Sequence, residues 1–143
     1  MIRGVVLWGI LMLVVAGCAR KPQETYPVEG VVKWSDGEPA NELAGGTIGL
    51  QLVEGPAIPA NPRGQVQPDG TFVLRTYGPG DGAPAGRYRA IVVPVMSRDD
   101  EDAQSESILD PRFQDYTISG LEITVKPEPS NQVQLTVKRT AKR

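Results

Sequence analysis

The chain contains no histidine, and its one cysteine is Cys18. Without imidazole it lacks the usual general base, any His-containing triad and the commonest metal ligand. A lone cysteine excludes an internal disulfide and a cysteine-rich zinc site. Aromatic residues make up only 6% of the sequence. No long apolar run follows the first seventeen residues. Charge is nearly balanced, 15 Lys+Arg against 17 Asp+Glu for a net −2, so the basic footprint of a nucleic-acid-binding protein is missing. What the chain does have is turn chemistry: 16 Gly and 13 Pro in 143 residues, the length of one ordinary domain.

Met1 to Gly17 has the make-up of a secretory signal. A positive start (the free amino terminus and Arg3) precedes the apolar stretch from Val5 to Ala16, which ends in small residues. That stretch is about twelve residues, near 18 Å as a helix, whereas crossing hydrocarbon takes about twenty residues or 30 Å. The tetrapeptide Val15-Ala16-Gly17-Cys18 resembles the bacterial lipobox, in which a hydrophobic and two small residues precede a modified cysteine. The resemblance implies thioether lipidation of Cys18, cleavage before it and acylation of the new amino terminus. One acyl chain binds a membrane marginally, while two or more, at about 0.8 kcal/mol per buried methylene, hold it stably. Ala19 is not the aspartate that often marks inner-membrane retention in such lipoproteins, which points to the outer membrane. Residues 18–25 then read as the lipidated cysteine and a polar tether.

From Tyr26 onward the pattern is that of short strands. Thr47–Val53 alternates with Ile48, Leu50 and Leu52 on one face. Leu121–Lys126 does so with Leu121, Ile123 and Val125, and Asn131–Lys138 with Val133, Leu135 and Val137. Period-two alternation means a strand with one buried and one wet face. Val28–Trp34, Thr71–Tyr77 and Arg87–Pro94 are rich in β-branched and aromatic residues, and Arg63–Gln67 is a seventh candidate. Asp36-Gly37 and Asp69-Gly70 supply tight turns, and Asp110–Tyr116 one or two helical turns. Trp34, Phe72, Tyr77 and Tyr88 fall on strand patterns and read as core. The expected fold is all-β, a seven-stranded antiparallel sandwich over residues 26–138, followed by a basic tail at 139–143.

Further residues carry a family resemblance. Pro27-Val28-Glu29-Gly30-Val31-Val32 leads into Asp36-Gly37-Glu38-Pro39, and Asp69-Gly70-Thr71-Phe72 precedes Gly80-Asp81-Gly82-Ala83-Pro84-Ala85-Gly86-Arg87-Tyr88. Ser119-Gly120-Leu121 then enters a further strand. This order resembles small bacterial lipoproteins with a transthyretin-like, carboxypeptidase-regulatory-like domain. The resemblance covers Tyr26 to Val137 and implies a prealbumin-like (immunoglobulin-like) sandwich with no catalytic domain attached. Its most specific part is the loop containing Gly80, Asp81, Gly82, Pro84, Gly86 and Tyr88, which reads as structural, with Asp81 accepting backbone hydrogen bonds.

Other constellations read as ordinary. The glycines at 78, 80 and 82 lack the Gly-Lys-Ser/Thr of a phosphate loop and lead into a strand. The acidic run Asp99–Asp102 with Glu106 lacks EF-hand spacing and reads as a solvated loop in the segment Met96–Ser107. Ser35, Ser97, Ser105, Ser107, Ser119 and Ser130 stand in turn or loop contexts outside any nucleophile motif. The expectation is therefore an exported, lipid-anchored, non-catalytic binding or scaffolding module of the cell envelope. It would use no metal or cofactor, and its partners would be the membrane and an envelope protein or polysaccharide, not nucleic acid. The alternatives are a Ca²⁺-assisted glycan-binding adhesion domain and a small envelope hydrolase.

Overall fold

The computed structural model describes residues 23–55, 60–96 and 107–141. Val15, Ala16, Gly17, Cys18 and the acidic run at 99–102 with Glu106 lie outside the described residues. Among the described residues no helix is long and apolar enough to cross a membrane.

Among the described residues seven strands form in chain order: β1 Val28–Trp34, β2 Thr47–Glu54, β3 Arg63–Gln65, β4 Thr71–Val73, β5 Gly86–Val93, β6 Leu121–Val125 and β7 Asn131–Val137. They build two sheets, one of three strands in the order β4-β1-β7 and one of four in the order β3-β2-β5-β6. The fold is all-β, and the alternation in β2, β6 and β7 puts Ile48, Leu50, Leu121, Ile123, Val125, Leu135 and Val137 inward, while Leu52 and Val133 are partly buried. Buried side chains from both sheets join one apolar cluster, in which Val28, Val32, Phe72 and Leu135 meet Ile48, Leu50, Tyr88 and Val92.

The expectation of uniformly antiparallel strands is corrected at one pair. β1 and β7 run parallel, in register from Val28 opposite Asn131 to Trp34 opposite Val137. The other strand pairs are antiparallel. A parallel pair needs a long crossover, and here residues 35–130 lie between the two strands. Thr71–Tyr77 is also shorter than expected, because after Val73 the chain turns from β1 toward β3, where Arg75 forms a bridge with Arg63. Tyr77 therefore falls outside the strand and is half exposed, whereas Trp34, Phe72 and Tyr88 are buried.

The tail at 139–143 is tied down at its start. Leu109 bridges Arg139, and the Thr140 N–H donates to the Ile108 carbonyl at 2.8 Å. The Arg139 guanidinium lies over the Trp34 ring, 4.3 Å from its centroid, and reaches Asp36 and Glu42, each at 3.2 Å. Two buried polar side chains hold other turns. Ser119 donates to the Ala90 carbonyl at 2.7 Å, and Asn131 accepts from the Lys126 N–H at 2.9 Å while donating to the carbonyls of Lys126 and Pro27.

Candidate functional site

The segment from Arg63 to Arg75 is a hairpin that joins the two sheets. Its turn is closed by the Gln67 N–H donating to the Thr71 carbonyl at 2.7 Å. At its open end Arg63 and Arg75 exchange both backbone hydrogen bonds, at 2.9 and 2.8 Å. Alternation sends Val66, Phe72 and Leu74 into the core and leaves Arg63, Gln65, Gln67, Val73 and Arg75 on the outer face. The strands approach closely at Gly64, where an added Cβ would stand 2.7 Å from the Val73 carbonyl oxygen. A side chain there would prise apart the seam between the sheets.

This outer face forms one side of an open groove of about 380 Å³. Thr47 of β2, opposite Gln65, extends the wall, and Pro79 and Gly80 of the following loop close the other side. Arg63 and Arg75 thus line one concavity.

The glycine-rich loop is held from within. One carboxylate oxygen of Asp81 accepts the Thr76 N–H at 2.7 Å, and the other accepts those of Tyr77 and Gly78, each at 2.9 Å. The Thr76 hydroxyl donates to the Gly82 carbonyl at 2.7 Å. Partial burial pushes the Asp81 pKa up, but the backbone donors outweigh it and hold the carboxyl below its ordinary value. Gly82 sits at φ +83°, and an added Cβ would collide with the Tyr26 carbonyl oxygen. Ala83 next to it exchanges backbone hydrogen bonds with Tyr26 at 2.9 and 3.1 Å. Pro84 offers its carbonyl to the buried Tyr88 hydroxyl at 2.7 Å, and Gly86 opens β5. Burial pushes the Tyr88 pKa up to about 12, with Tyr77 adding to the shift. Its contribution to stability is complete below pH ~10 and is lost as pH rises from there toward 12.

Of the loop residues singled out in the sequence, Gly80 reaches the groove, while Asp81, Gly82, Pro84, Gly86 and Tyr88 build the support behind it. Sequence reasoning missed Arg63 and Arg75 as a pair. They are twelve positions apart, and only the hairpin register places them opposite each other.

Replacing Asp81 with asparagine leaves one acceptor oxygen for the N–H groups of Tyr77 and Gly78, turns the amide NH₂ against the Thr76 N–H and removes the charge. The expected cost is about 2 kcal/mol at pH 7, the scale of hydrogen bonds to a charged group. A carboxyl with a lowered folded pKa stabilises above its unfolded value of about 3.9, and that contribution is lost as pH falls through the folded pKa. The thermal midpoints of wild type and Asp81→Asn are therefore separated at pH 7 and converge below pH ~4, as melts at pH 7 and pH 3 will test.

No group of three or more metal-binding side chains is assembled among the described residues. No family model matches the chain, and no curated protein matches it. Among solved structures the chain is similar to a 9R-lipoxygenase from Cyanothece PCC8801, at 13% identity and a TM-score of 0.40. That likeness covers 80% of this chain and 16% of the lipoxygenase chain.

Proposed function

We propose that the chain is an exported, lipid-anchored, non-catalytic binding or scaffolding module of the bacterial cell envelope. In this reading its two sheets are the layers of a prealbumin-like sandwich, as in transthyretin-like lipoproteins. The observation that carries the proposal is the groove at the seam between the sheets. It is concave, it is lined by two arginines, neutral polar side chains and the apolar Val73 and Pro79, and it rests on a loop that three N–H donors to Asp81 hold in shape. A site supported by strands and a fixed loop suits recognition. The address comes from Val15-Ala16-Gly17-Cys18: lipid on Cys18 fixes the location, and the tether to residue 25 lets the domain stand clear of the surface.

Cys18→Ser removes the sulfur that the thioether needs. The protein is then expected to leave the membrane fraction and appear in the soluble exported fraction. Unchanged partitioning overturns the anchor.

A further inference from the structure

Building on the binding-module reading, we infer that the groove recognises an oxyanion, a carboxylate or phosphate at one end of a small organic ligand, through Arg63 and Arg75. The two residues exchange both backbone hydrogen bonds, so they stand directly opposite each other. In such pairs the Cα atoms are about 5.5 Å apart and the side chains leave on the same face. Like charges in that position repel and destabilise the pairing.

Two other arginines of the chain are each paired with two acids. Arg87 lies between Glu54 and Glu122, each at 3.6 Å, and Arg139 between Asp36 and Glu42. Arg63 and Arg75 have no ion pair among the described residues. The acid of the neighbouring loop, Asp81, spends both carboxylate oxygens on backbone N–H groups. Two guanidinium forks thus face one concavity without an acid among the described residues to neutralise them, and each matches the geometry of a carboxylate or phosphate. A groove of about 380 Å³ falls in the range of small-molecule sites, roughly 300–1,000 Å³, and is far larger than one oxyanion. The anion is therefore one end of the ligand, and Gln65, Gln67 and Thr47 meet its neutral polar remainder.

The test is thermal melting of the full chain in neutral detergent at constant ionic strength, with inorganic phosphate in one arm and succinate in the other. Wild type is expected to show a saturable rise of about 5–10 °C in at least one arm, and the arm that responds identifies the oxyanion. Arg63→Gln and Arg75→Gln each raise the half-saturating concentration about tenfold or more, and the double variant loses the response. Without ligand the variants melt at or above wild type, because the repulsion is relieved. A merely structural arginine would lower that midpoint. Absence of a saturable rise in both arms overturns the inference, as does a rise that persists in the double variant or a ligand-free double variant melting well below wild type. An envelope partner still captured at the groove by the double variant would overturn the anion while leaving the binding module standing.

Discussion

Gly82→Ala is expected to lower the thermal midpoint by about 20 °C, the largest effect of any single methyl in the glycine-rich loop. The backbone at Gly82 has φ +83°, where a side chain costs about 1–2 kcal/mol. The added Cβ also meets main chain: the Tyr26 carbonyl oxygen and, at 2.8 Å, the Pro27 Cα. Backbone cannot swing aside as the end of a side chain can, so the paired hydrogen bonds between Tyr26 and Ala83 must break. Together these amount to about 4–6 kcal/mol, much of the total stability of an ordinary domain. Two neighbours separate the causes. Gly80 has φ +65° and nothing within 4 Å of an added Cβ, so Gly80→Ala carries the conformational cost alone. Gly78 also has open space and no positive φ, so Gly78→Ala is near neutral. Equal midpoints for the three variants would contradict this account.

Trp34→Ala is expected to cost about 3–5 kcal/mol, the range for emptying a large aromatic site. Trp34 closes β1 opposite Val137 of β7 and is 1% exposed. Its indole N–H donates to a Glu42 carboxylate oxygen at 2.7 Å, while the Arg139 guanidinium covers its ring. Removing the ring therefore leaves a cavity and takes away the surface on which the Glu42 and Arg139 contacts are assembled. The indole hydrogen bond, then the Arg139 hydrogen bond, hold the Glu42 carboxyl below its ordinary pKa. Trp34→Phe keeps a ring under Arg139 and loses only the N–H donor, so it is expected to destabilise less and to move the Glu42 pKa upward. Chemical denaturation and NMR titration of Glu42 read the two effects separately. A Glu42 pKa unchanged in Trp34→Phe would show that the indole bond does not set it.

The strands were legible wherever one face is apolar and the other polar. Ile48, Leu50 and Leu52, or Leu121, Ile123 and Val125, announce a half-buried strand because side chains alternate with period two. That period carries no direction, so nothing in Val28–Trp34 or Asn131–Val137 indicates that the two run parallel. Tyr77 read as core because it ends a β-rich stretch, but the turn wired by Asp81 takes it out of the strand. The loop around Asp81 was legible because aspartate and glycine have few other uses at that density. The groove was not, since Arg63 and Arg75 become neighbours only through the register of a hairpin between two sheets. The turn Asn41–Leu43 also left no sequence signal beyond one buried leucine.

The account turns on the groove being where the protein meets its partner. The direct measurement places a photo-crosslinking side chain at Gln67 on the groove face, or at Thr124 on the exposed face of β6, in the full chain in living cells. The account predicts a defined adduct from position 67, recovered in the membrane fraction, and none from position 124. No adduct from position 67, or the same adduct from both positions, would contradict it.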